Sequence, residues 1–130
     1  MALRISSKLH RALLDQAAAS PAKEICGLVI GTVDVEAIVA AINVAIDPAC
    51  SFEIDPVALF AAIRAERGGG DHLLGYYHSH PNGSPVPSPR DAEMAVGDGK
   101  VWIIIGDGQV RAWRMGQSRQ FNEIALTIAN

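Results

Sequence analysis

The chain has 130 residues, one domain's worth, with 49% hydrophobic and 19% charged residues, an ordinary globular composition that excludes disorder. Eleven basic and 14 acidic residues leave a formal net charge of −3, and with no run of Lys or Arg to neutralise a phosphate backbone, nucleic acid is not an expected partner. The N-terminus lacks a charged region followed by a long apolar stretch, and no apolar run is long enough to cross a bilayer, so a cytoplasmic protein without a membrane partner is the expectation.

In chain order, 2–6 reads as a short strand. Ser6 or Ser7 then caps a helix with Leu9, Ala12, Leu13 and Ala17 on one face, ending before Pro21. The segment 24–31 (EICGLVIG) reads as a strand opened by Glu24 and closed by Gly31. Val33 to Ala45, rich in Val, Ile and Ala, reads as one further strand with a possible bend, and 51–54 as a short one. Asp55-Pro56 starts a second helix, with Asp as N-cap and Pro at the first helical position. Its expected buried stripe is Val57, Phe60 and Ile63 with Leu59 beside them, and Gly68-Gly69-Gly70 is its stop. Leu73 to His80 is a strand that runs into the loop PNGSPVPSP. Ser88-Pro89-Arg90-Asp91 starts a short third helix. VWIIIG, 101–106, has the unbroken apolar character of a strand buried on both faces. Gly108 turns the chain into 109–114, and 121–128 closes the domain. The fold class is therefore α/β of the α+β type: a mixed central sheet flanked by two long helices and one short one.

Side chains alternate across a strand, so His78 and His80 share a face while Ser79 points away. A single His is most often a buried residue satisfied by a hydrogen bond, but a same-face pair forms one edge of a tetrahedral metal site. Asp91 lies 11 residues after His80, in the first turn of the helix that Ser88 starts. There it has two compatible uses, as a capping carboxylate favoured by the helix dipole and as a third metal ligand. Two imidazoles and one carboxylate leave a fourth position open for water, and a donor set rich in imidazole favours zinc over magnesium or calcium. A chain of this size buries enough surface to fold without a metal staple, so the metal is expected to serve chemistry. Glu24 is the natural candidate for the base, although a carboxylate opening a strand is by itself more often an edge charge.

Cys26 and Cys50 have no CxxC spacing and are expected to be free and buried in a reducing compartment. His10 and His72 are expected to carry no chemistry. Tyr76 shares the face of the two histidines and serves core packing or lines the site, while Trp102 and Trp113 pack the sheet.

Glu24 on an early strand, then His78-Ser79-His80, seven residues from Pro81 to Pro87, Ser88, two residues and Asp91 resemble the JAMM metalloproteases of the MPN-domain family at every position of that family's motif. The words EICGLVIG and GYYHSHP also look like the family, and the order of elements fits its fold across nearly the whole chain, 1–130. The resemblance implies one zinc ion with a bound water as fourth ligand, held by His78, His80 and Asp91. It also implies Glu24 as general acid/base and Ser88 as hydrogen-bond donor to the tetrahedral intermediate. The Ser88 hydroxyl can do this while capping, since its oxygen accepts from a backbone N–H and its proton is donated elsewhere. The substrate so implied is an amide bond at the C-terminal Gly-Gly of a ubiquitin-fold protein or sulfur carrier, as in short prokaryotic members. A zinc amidohydrolase acting on a small amide and a silent MPN scaffold are the alternatives.

Overall fold

The computed structural model describes residues 2–130. Ten elements succeed one another: β1 (Ala2–Ser6), α1 (Ser7–Ala18), β2 (Cys26–Ile30), β3 (Ala37–Ala41), α2 (Pro56–Arg67), β4 (Leu73–Ser79), α3 (Pro89–Met94), β5 (Val101–Gly106), β6 (Gln109–Met115) and β7 (Phe121–Ala129). The strands form one seven-stranded mixed sheet in the order β1-β7-β6-β5-β4-β2-β3. The pairs β1/β7 and β4/β5 are parallel and the others antiparallel. The sheet is curled, so that the Val35 N–H, just ahead of β3, donates to the Arg4 carbonyl of β1 at 2.9 Å.

Alternation along the strands sorts side chains into two apolar layers. On one face Leu3, Ile5, Tyr77, Ile103 and Ile105 pack beneath Leu9, Leu13, Leu14 and Ala17 of α1. On the other, Leu28, Phe52, Trp102, Ile104, Trp113 and Met115 pack with Leu59, Ala62 and Ile63 of α2. Every residue of β5 is buried, as its unbroken apolar run predicts. Ser6 caps α1 by accepting from the Leu9 N–H at 3.1 Å, Asp55 caps α2 from the Val57 N–H, and Asp107-Gly108, both at positive φ, turn β5 into β6.

Four expectations are corrected by the fold. The Val33–Ala45 run holds only the five-residue β3; the chain leaves the sheet after Ala41, with Ile42, Val44 and Ile46 exposed. The 51–54 segment is no strand, only a single bridge between Asn43 and Ile54. In α2, Val57 and Phe60 are 76% and 56% exposed: the helix covers the sheet with its 59/62/63 flank, because its axis turns the 57/60 side to solvent. Cys50 is also exposed, whereas Cys26 is buried.

β4 approaches β5 closely at Gly75, where a Cβ would overlap the Val101 carbonyl. Gly75→Ala is expected to destabilise the fold by about 3 kcal/mol, at the upper end of overpacking costs because backbone cannot step aside. A thermal midpoint unchanged from wild type would contradict this.

Candidate metal centre and active site

The strand β4 carries Tyr77 into the α1 layer and turns His78 to the opposite face, where it is fully buried. Phe52 stacks on the His78 ring with centroids 4.2 Å apart, and Trp102 meets it edge-on at 5.6 Å. His80, just past the strand end, lies on the same side with its ring 4.9 Å from that of His78. The proline-rich loop then folds back. The His80 Nδ1–H donates to the Ser84 carbonyl at 2.9 Å, and the Trp113 Nε1–H donates to the Pro85 carbonyl at 3.0 Å. The loop ends at Ser88, N-cap of α3, in a full capping box: Ser88 Oγ accepts from the Asp91 N–H at 3.0 Å, and Asp91 Oδ2 accepts from the Ser88 N–H at 2.9 Å.

That box aims Asp91 Oδ2 at the two imidazoles. His78 Nε2, His80 Nε2 and Asp91 Oδ2 form a triangle with all three sides 3.1 Å. Neighbouring ligands of a tetrahedral ion with bonds of about 2.0–2.1 Å lie about 3.3 Å apart, so the triangle fits one face of such a shell. With Nδ1 of His80 committed to the Ser84 carbonyl, its neutral form presents the bare Nε2 lone pair, as in metal-binding histidines whose other ring nitrogen is held by a carbonyl. These three residues can hold a metal ion.

The charges agree. Burial pushes the His78 imidazole down and keeps it neutral. Burial also works against the Asp91 carboxylate, but hydrogen bonds from both histidines and from the Ser88 N–H outweigh it and hold the carboxyl well below the usual range. For His80 burial is likewise outweighed, by hydrogen bonds to Asp91 and the Ser84 carbonyl and by the charges of Asp91 and Glu24, and the ring is raised.

Glu24 precedes β2 and does not open it as expected. Its side chain is 7% exposed, and Oε1 is buried without a hydrogen-bond partner among the described residues. Burial raises the carboxyl to about 7, the range suited to moving protons at neutral pH. Glu24, His80 and Ser88 line one cavity of about 220 Å³ together with Ala49, Cys50, Pro81 and Asn82. Three residues of the motif thus line one opening, and the other two, His78 and Asp91, are buried beside it and meet His80 in the triangle.

Cys26 faces His78 across the β2/β4 ladder; burial and the nearby Glu24 charge push its thiol up to about 11, leaving it protonated. Tyr76 and Trp102 line a separate apolar groove with Ile54 and Leu59. His72 is an exposed partner of Glu66 at 3.6 Å. Periodicity does not single out Phe52, Ser84 or Asn43. The signal for Asn43 is the polar interruption of the Val33–Ala45 run.

A curled seven-stranded sheet with three helices, carrying these donors at the end of β4 and the start of α3, defines a JAMM/MPN-type hydrolase. A JAB1/MPN domain protein from Archaeoglobus fulgidus has the same fold, with a TM-score of 0.63 at 18% identity over 100% of both chains. The chain belongs to the prokaryotic homologs of the JAB domain, whose family model matches residues 6–116. A desampylase of Haloferax volcanii is 35% identical over 86% of this chain and 83% of its own length. A probable TtuB-protein conjugate cleaving protease of Thermus thermophilus is 37% identical over 82% of this chain and 69% of its own.

Proposed function

We propose that this protein is a zinc-dependent isopeptidase or peptidase of the cytoplasm that cleaves the amide bond joining the C-terminal Gly-Gly of a ubiquitin-fold or sulfur-carrier protein to its adduct. The observation that carries this reading is the Glu24 carboxyl group, with Oε1 buried and without a hydrogen-bond partner among the described residues, lining one cavity with His80 and Ser88 beside the three-donor triangle. The names of the two relatives, which point to conjugates of small protein modifiers, support the substrate class.

His78, His80 and Asp91 would hold one zinc ion, which when bound polarises a carbonyl and acidifies water. Glu24 takes the proton of the attacking water and delivers it to the leaving amine, with a carboxyl near 7 ready for both transfers. The Ser88 oxygen caps α3, which leaves its hydroxyl proton to donate to the oxyanion that develops on the scissile carbonyl. A glycine tail needs little room beside Glu24, His80 and Ser88, which together line the opening.

The test is intact-mass spectrometry of ubiquitin-fold carriers bearing C-terminal extensions, incubated with zinc-loaded protein. Release of the extension after Gly-Gly supports the proposal. Zinc-loaded protein that cuts no carrier would shift the reading to a small-amide hydrolase or a scaffold. Cleavage is also expected to rise with pH along an acid limb at or below about 7. Glu24 must be ionised to accept a proton, and a bound cation favours the carboxylate. A rate that does not fall with pH anywhere below 7 while zinc stays bound would remove Glu24 from the base role.

A further inference from the structure

Glu24 lies outside the sheet ladders, so the strands do not fix its backbone. Both of its backbone groups are held instead by one loop, residues 43–54. The Glu24 N–H donates to the Pro48 carbonyl at 2.8 Å, and the Glu24 carbonyl accepts from Asn43 Nδ2 at 2.9 Å. The next residue is anchored differently: the Ile25 N–H donates to Ser79 Oγ at 2.9 Å, and its carbonyl accepts from the Ser79 N–H at 3.1 Å.

The loop itself is tied by Asn43. Its backbone bridges to Ile54 at the neck, flanked by Val44 N–H to Glu53 carbonyl and Asp55 N–H to Ile42 carbonyl bonds. Inside, Asn43 Nδ2 also donates to the Ser51 carbonyl at 3.1 Å. Oδ1 accepts from the N–H groups of Ala45 and Glu53, each at 3.0 Å. The amide thus makes two donated and two accepted hydrogen bonds, its full capacity. The same loop carries Ala49 and Cys50 into the cavity wall and sets Phe52 on the His78 ring.

We infer that Asn43 is a positioning residue: it ties the loop that bears the cavity wall and Phe52 to the backbone of Glu24, so that the acid/base and the donor triangle keep one mutual geometry. The inference rests on the catalytic role proposed above for Glu24. Every hydrogen-bonding position of the Asn43 amide is spent on a backbone group, so it acts through Glu24 and the loop.

The experiment compares wild type, Asn43→Ala and Asn43→Asp, all zinc-loaded. Both variants lose the donor to the Glu24 carbonyl, while Asp retains acceptor oxygen for Ala45 and Glu53. Amide exchange by NMR should show the Glu24 N–H exchanging at least about tenfold faster in both variants, with the Ile25 N–H unchanged. On a cleavable carrier, kcat should fall about 10- to 100-fold, the cost of misplacing a reacting group by an ångström or less. KM and zinc stoichiometry should stay within about twofold, since the three donors are not touched. Glu24 exchange equal to wild type overturns the inference whether or not any carrier is cut. Faster exchange with kcat unchanged on a carrier that wild type cleaves overturns it too. A wild type that cuts no carrier, with Glu24 exchange accelerated as expected, instead counts against the proposed substrate and leaves the tether supported.

Discussion

Glu24→Gln is expected to lower conjugate cleavage by about 10²–10⁴-fold, the usual contribution of a positioned acid/base, with zinc content unchanged. The substitution is close to isosteric and removes only the ability to shuttle a proton. In the folded protein the carboxylate is buried, with Oε1 unpartnered, and its raised carboxyl shows that burial disfavours the charged form. Replacing an unpartnered charge by a neutral amide therefore relieves a desolvation cost. The thermal midpoint should be equal to or above that of wild type. Loss of activity alongside equal or greater stability separates a chemical role from a structural one. Activity within threefold of wild type would sink the assignment of Glu24 as acid/base, and a marked loss of stability would sink the account of its burial.

The second large effect is expected at Asp91, where one side chain both caps α3 and points at the histidines. Asp91→Asn keeps an oxygen able to accept from the Ser88 N–H and leaves the Asp91 N–H bonded to Ser88 Oγ. The helix stays capped while the anionic donor is lost. Zinc affinity should drop by more than about 100-fold, beyond the loss typical of a second-shell partner, and cleavage should disappear with it. Asp91→Ala should lose the same affinity and a further increment of about 1 kcal/mol in stability, from the broken cap. Dialysis against a zinc buffer and thermal unfolding of the two variants distinguish these contributions. Stoichiometric zinc in Asp91→Asn at wild-type affinity would rule out Asp91 as a ligand.

The parts of this site that were readable in advance are the ones governed by local rules. Strand alternation places His78 and His80 on one face whatever the tertiary fold, and Ser88-Pro89 marks a helix start that sets the direction of Asp91. The unbroken apolar run of β5 likewise announces burial on both sides. The runs 33–45 and 51–54 look like strands and, apart from β3, are not, because their composition and their environment disagree. Val and Ile at 42–46 suit a pleated strand, yet the chain leaves the sheet after Ala41 and turns Ile42, Val44 and Ile46 to solvent. What holds it there is the side chain of Asn43 bonding to Glu24, 19 positions earlier, a long-range contact that no periodicity reports. The α2 stripe was misjudged for a related reason. Residues 57/60 and 59/63 are both apolar flanks at helical spacing, and only the docking angle on the sheet chooses between them.

The pairing of β1 with β7, in which Ala2 faces Ala125 and Ile5 faces Ile128, bears on how the molecule is made. Within the sheet β1 pairs only with β7, so its ladder forms only once the segment from Ala125 to Ala129 is available. Such a pairing gives the topology a high contact order and places one of the slowest loop closures at the end of folding. Until then the apolar Leu3 and Ile5, both 1% exposed in the finished molecule, stay open to the solvent. The three converging donors span only His78 to Asp91, so their strand and loop can assemble before that last closure. The donor triangle and the closing of the sheet thus rest on contacts of very different sequence separation.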